Sequence, residues 1–166
     1  MGRGRGKIIR PTHTAERIAW KKTSKNAKTF DNIVSKLRKA GYNDYEVAGI
    51  IGNFIQESGY NFNMFTPGRK GFAHMDAALY DKMKSMYKDE LDYYIDWGSG
   101  KVNKKYKDDL GYKQGVFKPG TYNDIESATN QFLSQFERPI IKDAKGNVIG
   151  YQNSKERLAF AKDVYN

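Results

Sequence analysis

Past a polar start, apolar residues along this chain recur at helical spacing. Phe30, Ile33, Val34, Leu37 and Ala40 fall three or four apart and Gly41 follows as a stop, which predicts an amphipathic helix with Lys36, Arg38 and Lys39 near its negative dipole end. Asn43 with Glu46 three residues later reads as a capping box, opening a second helix whose Val47, Ile50, Ile51, Phe54 and Ile55 form a broad buried face. A third helical stretch is predicted from Asp76 to about Ile95, with Leu79, Met83, Met86, Tyr87 and Leu91 inward. Asp124 caps a fourth, carrying Ile125, Ala128, Phe132, Leu133 and Phe136 to a stop at Arg138-Pro139. Ile140-Ile141 and Val148-Ile149, either side of Ala144 to Asn147, predict a short hairpin, and Ser154 caps a last helix through Leu158, Ala161 and Tyr165. Residues 97–123, rich in Gly, Lys and Tyr, hold no sustained period and read as a long loop or several turns, often a functional surface. The expected fold is a mainly α, single helical domain with a minor β-hairpin and no internal repeat.

Composition narrows the function. At 166 residues the chain has room for one domain with a real core, and 14% aromatic content is enough to fill it. The absence of cysteine excludes disulfides and Cys-based metal sites. His13 and His74 lie far apart with no ligand spacing around them, so no metal and no cofactor is expected. No stretch approaches a membrane span, and the basic start is not followed by the apolar run of a secretory signal. The net charge of +10 has a location: residues 1–40 contain 12 Lys/Arg and 2 Asp/Glu, whereas residues 41–166 contain 17 of each. The charge therefore belongs to an arm, residues 1–28, expected to be largely flexible, and a neutral domain occupies residues 29–166. A Gly-interleaved basic arm suits nucleic acid, an anionic cell-wall polymer or the acidic face of an assembly, or it is a solubilising tail. Its few aromatics and the neutral core argue against a sequence-reading nucleic-acid-binding domain.

The chemistry converges on Glu57. It is an isolated carboxylate in the last turn of an apolar helix, followed at once by Ser58-Gly59. The negative dipole end and the neighbouring Phe54 and Ile55 both favour the protonated form, and an acid held neutral can give a proton to a leaving oxygen, as glycosidic cleavage requires. The plainer alternative is an ordinary exposed helix-end residue.

Phe30 to Asn63, with its Lys39-Ala40-Gly41 helix end, Ala48-Gly49-Ile50-Ile51-Gly52-Asn53 and Glu57-Ser58-Gly59, resembles the opening of the phage tail lysozyme family. Ala128 to Pro139, ending Phe136-Glu137-Arg138-Pro139, and Arg157, Ala161 and Tyr165 of the closing helix resemble its later segments. The resemblance implies a lysozyme-like α+β fold and cleavage of the peptidoglycan glycan strand between N-acetylmuramic acid and N-acetylglucosamine by a virion protein during cell-wall penetration, with Glu57 as general acid. The family's sugar-lining motif is represented here by the divergent Gly71-Phe72-Ala73-His74-Met75. Candidate helpers are Asp76 as base or charge stabiliser, with helix capping as its rival role, Thr66 to position a water, and His74. Ser58, Asn61, Phe72 and His74 are candidates for binding substrate. A single-acid lytic transglycosylase mechanism stays open, and Glu137 reads as structural, pairing locally. The alternative from another class is a catalytically inactive lysozyme-like component of the particle, anchored by its arm to other virion proteins or packaged DNA.

Overall fold

The computed structural model describes residues 24–59, 65–66, 68–73, 75–106, 113–137 and 140–165. Asn61, His74, Arg138, Pro139 and the arm up to residue 23 lie outside them. The elements, in order, are α1 (Ser24–Lys39), α2 (Asp44–Ser58), three short strands β1 (Phe65–Thr66), β2 (Arg69–Lys70) and β3 (Met75–Asp76), α3 (Ala77–Met86), α4 (Glu90–Ser99), a 3-10 turn (Lys104–Tyr106), α5 (Ile125–Phe132) continued by a π-helical segment (Leu133–Glu137), β4 (Ile140–Lys142), β5 (Val148–Tyr151) and α6 (Ser154–Tyr165). The fold is mainly α with two small antiparallel sheets, in the orders β1-β2-β3 and β4-β5.

The central element is α2, which packs against α1, α5 and α6. Its entry matches the sequence reading: the Asn43 side chain accepts from Glu46 N, and the Glu46 carboxylate accepts from Asn43 N. Val47, Ile50, Ile51, Phe54 and Ile55 are all buried, as are Phe30, Ile33, Val34 and Leu37 of α1. Phe54 joins α2 to the aromatic core, its ring 5.3 Å from Phe72, 5.4 Å from Tyr94 and 5.8 Å from Phe132.

Three features differ from expectation. The stretch from Asp76 to Ile95 is two helices, because Tyr87 leaves the helical conformation and Asp89 restarts it, its side chain accepting from Leu91 N. The β1–β3 sheet was not expected; strands of two residues are too short to show an alternating pattern. In α6 Arg157 is buried together with Ala161 and Val164, while Leu158 is half-buried, and Asn153, at φ 60°, precedes Ser154 and accepts from Arg157 N.

The aperiodic region is structured by distant polar anchors. Besides capping its own helix, Glu46 accepts from the amides of Gly120, Thr121 and Tyr122 at 2.9 to 3.1 Å. Tyr42 Oη donates to Phe117 O at 2.8 Å, and Phe117 itself is buried. The hairpin forms as expected, with Ile141, Val148 and Ile149 exposed on it.

Candidate functional site

The site is built on a face of α2 that carries Gly49, Asn53 and Glu57, residues four apart and therefore stacked along one side of the helix, with Gly52 one turn from Gly49 at its edge. The two glycines admit neighbouring backbones. A Cβ at Gly49 would lie 2.8 Å from Thr129 N of α5, and one at Gly52 would lie 2.7 Å from both Arg157 O and Ala161 N of α6. This close approach sets the Arg157 side chain against Asn53 and Glu57.

Arg157 is then held on every side of its guanidinium. Its Nη1 donates to Asn53 Oδ1 at 3.1 Å, its Nη2 donates to the Glu57 carboxylate, and its Nε donates to Gln152 O at 3.4 Å. The Asn53 amide is fixed in turn, its Nδ2 donating to Gly49 O and Thr129 O, so that its oxygen faces the guanidinium. A second carboxylate, Glu137 at the end of the π-helical segment, lies 3.7 Å from Arg157 Nη1. Its described cation is thus on the last helix rather than beside it in sequence.

The three charged side chains descend in exposure. Glu57 keeps 24% of its side chain accessible, against 1% for Arg157 and 4% for Glu137. Burial first, and the charge of Glu57 next, hold the Glu137 carboxyl well above the usual carboxylate range, with Arg157 opposing them and Glu90 adding to them. Glu137 Oε1 has no hydrogen-bond partner among the described residues. At Glu57, the dipole and burial expected from sequence are joined by a guanidinium that local sequence does not reveal.

A further buried acid organises the segment from Gly71 to Ala73. Glu90 accepts from Phe72 N at 3.0 Å with both oxygens and from Tyr94 Oη at 2.5 Å. Burial pushes its carboxyl up to about 6 against the opposing pull of those hydrogen bonds. Gly71 is at φ 87°, and a Cβ there would lie 2.6 Å from Glu90 Oε1, so both backbone conformation and space require glycine.

Of the residues predicted from sequence, Glu57 is brought together with Asn53, Arg157 and Glu137, none of which was expected in the site. Ser58 is buried, with Oγ donating to Phe54 O at 2.8 Å, and the Phe72 ring is buried against Phe54. Asp76 is exposed and caps α3, its Oδ2 accepting from Ala78 N at 3.1 Å. Thr66 pairs with Arg69 across β1 and β2. Asn61 and His74 are outside the described residues. Arg157 was detectable in principle: it lies four residues before Ala161 and seven before Val164, on the stripe that α6 buries. A buried arginine requires carboxylates nearby.

A central buried helix ending in a partly exposed carboxylate, within a mainly α framework, is consistent with a lysozyme-like fold. The chain belongs to the phage tail lysozyme family, whose profile matches residues 25–166. Comparison with curated proteins and with solved structures gave no match. Membership carries a lysozyme-like, peptidoglycan-degrading function, a phage association and action at the cell wall. No helix among the described residues is long and apolar enough to cross a membrane.

Proposed function

We propose that the protein is a virion-associated, muramidase-type glycosidase in which Glu57 is the general acid. Its proton passes to the glycosidic oxygen between N-acetylmuramic acid and N-acetylglucosamine; the C–O bond breaks and the electron pair leaves with that oxygen. A new C–O bond forms to the sugar carbon from water, which loses a proton, or from the muramyl 6-hydroxyl in the transglycosylase route. The observation that carries the reading is the placement of Glu57: it is partly accessible to a ligand, yet fixed by a buried guanidinium with three other partners. Such fixation limits the reorganisation that a flexible surface acid undergoes before proton transfer. Asp76 acts as the cap of α3 in this reading, and Thr66, Asn61 and His74 remain candidates for the sugar-facing side.

The test is turnover of purified peptidoglycan by wild type and Glu57→Gln, with mass spectrometry of the released fragments. Loss of turnover in Glu57→Gln with retained thermal stability is expected, and equal turnover removes Glu57 from the mechanism. Reducing-end products indicate hydrolysis, whereas anhydro-muramyl products indicate the lytic transglycosylase route. A wild type that binds glycan without cleaving it returns the inactive-component reading.

Residues 1–28 serve in this proposal as an electrostatic anchor, to anionic envelope polymer, other virion proteins or packaged DNA. Deleting residues 1–23, which leaves α1 whole, is expected to abolish a salt-sensitive component of binding while the domain stays folded. Binding unchanged by the deletion would reduce the arm to a solubilising tail.

A further inference from the structure

We infer that Glu57 and Glu137 share one proton across Arg157, with Glu137 acting as the buried store from which Glu57 is recharged as an acid. The inference deepens the reading of Glu57 as general acid and rests on it for its catalytic meaning.

Among the described residues, the geometry supplies one cation and two carboxyl groups. Arg157 Nη2 holds Glu57, and Nη1 lies 3.7 Å from Glu137 Oε2. The guanidinium keeps its charge throughout, because arginine does not deprotonate in proteins. With both acids ionised, the cluster would bury a net negative charge, since Arg157 and Glu137 are almost fully enclosed. With one proton present the cluster is neutral, and there are two neutral arrangements. In the first, Glu57 is the carboxylate paired with Arg157 and Glu137 is the neutral acid; in the second, Glu137 is the carboxylate and Glu57 the neutral acid. Glu137 Oε1, which has no partner among the described residues, fits the first, since a buried oxygen without a donor is tolerated far better on a neutral carboxyl than on a carboxylate.

Interconversion conserves atoms and charge. The O–H bond of Glu137 breaks, an O–H bond forms on Glu57, and the negative charge moves inward while Arg157 changes which carboxylate it neutralises. A general acid faces a difficulty beside an arginine, because the cation favours its ionised form. The buried partner resolves it: the cation is neutralised by Glu137 whenever Glu57 carries the proton. After Glu57 has protonated a leaving oxygen, both carboxyls are ionised, and a proton from solvent restores the neutral cluster.

The groups facing Glu137 from its neighbours bear on this balance. Arg157 of α6 favours its ionisation; Glu57 of α2 and Glu90 of α4 oppose it. Tyr94 of α4 is close enough to feel its charge, and its hydroxyl is pushed well up, so it stays a neutral donor to Glu90. Asn53 contributes no charge, but by accepting from Nη1 it keeps the guanidinium between the two acids. Glu137 does not reach solvent, so its part is that of a positioning and proton-storing residue and not of a group that touches sugar.

The experiment compares pH–rate profiles of the full chain as wild type, Glu137→Gln and Glu137→Asp, with thermal unfolding as a check on the fold. In Glu137→Gln the amide cannot take up the negative charge, and Arg157 is committed to Glu57. The alkaline limb of kcat is expected to move to lower pH, with kcat at neutral pH falling about tenfold or more, KM changing by less than about twofold, and activity recovering on acidification. Glu137→Asp, which keeps a titrating carboxyl, is expected to restore part of the limb. A folded Glu137→Gln enzyme with the wild-type profile overturns the inference.

A second measurement needs no turnover. Infrared spectra of wild type and Glu57→Gln at neutral pH report the buried protonated carboxylic acid. With Glu57 removed, Arg157 is left to Glu137 and the band is expected to fall to what Glu90 alone contributes, as measured in Glu57→Gln/Glu137→Gln; a band that persists unchanged overturns proton sharing. The two failures are distinguishable. Full turnover in Glu57→Gln defeats the general-acid reading, whereas an inactive Glu57→Gln together with an unmoved Glu137→Gln profile defeats proton sharing alone.

Discussion

Gly52 lies beneath the backbone of Arg157: a Cβ on the glycine would stand 2.7 Å from the Arg157 carbonyl oxygen. The obstacle is helix backbone, which cannot rotate aside as a flexible side chain does. Gly52→Ala is therefore expected to push α6 away from α2, costing about 1–3 kcal/mol of stability by overpacking and lowering turnover further through displacement of Arg157 from Glu57. Urea denaturation and a peptidoglycan assay check this together. Wild-type values in both would show that the α2–α6 contact adapts.

Glu46 anchors a loop more than seventy residues away. Replacing it with alanine leaves the amides of Asn43, Gly120, Thr121 and Tyr122 without their acceptor. A loss of about 2–3 kcal/mol is expected, because several amides held by one charged group lose it at once. Hydrogen exchange locates the effect: amides 120–122 should exchange faster in Glu46→Ala, and unchanged protection there would show that water or another group replaces the carboxylate.

Glu90 gives the protein an acid-side stability gain. Its carboxyl is raised from 4.5 to about 6 in the folded state by burial, so the native state binds this proton more tightly than the unfolded chain does. The contribution is full below the unfolded value of 4.5 and is lost as pH rises through about 6. It amounts to about 2 kcal/mol. The stability difference between wild type and Glu90→Gln, followed by urea denaturation across that window, should therefore shrink as pH rises. A difference that is flat, or that grows with pH, contradicts the assignment.

Asp76 separates capping from catalysis cleanly. Asparagine caps a helix about as well as aspartate, while alanine does not, at a cost of about 1 kcal/mol. Asp76→Asn is expected to retain both stability and turnover, and Asp76→Ala to lose stability with turnover preserved below its melting range. A folded Asp76→Asn protein without activity would instead make the carboxylate a working part of the site.

What was legible in the sequence was local. Phe30 to Ala40, Val47 to Ile55 and Ile125 to Phe136 announce their helices through apolar spacing, and the Asn43–Glu46 box was readable because both halves lie within one turn. Glu57 stood out for the same reason, as one acid in an apolar run. The split between α3 and α4 was missed because the apolar spacing runs on through Met86, Tyr87 and Leu91, masking the cap at Asp89. The reach of Glu46 to residues 120–122 and of Arg157 to Glu57 had no local signature. Those pairs are 74 to 76 and 100 residues apart, and spacing rules describe neighbours along one element. Glu137 was read as structural, with local pairing expected; Arg138 lies outside the described residues, and the contact from Arg157 of α6 had no local signature either.

The packing of α2 against α6 also bears on how the protein comes to exist as a working molecule. The carboxylate and its guanidinium sit on helices joined by most of the chain, so the contact forms late and by closure of a long loop, against the entropy of everything between. In the proposed mechanism, damage confined to α6 is expected to impair catalysis even where every residue of α2 around Glu57 is intact.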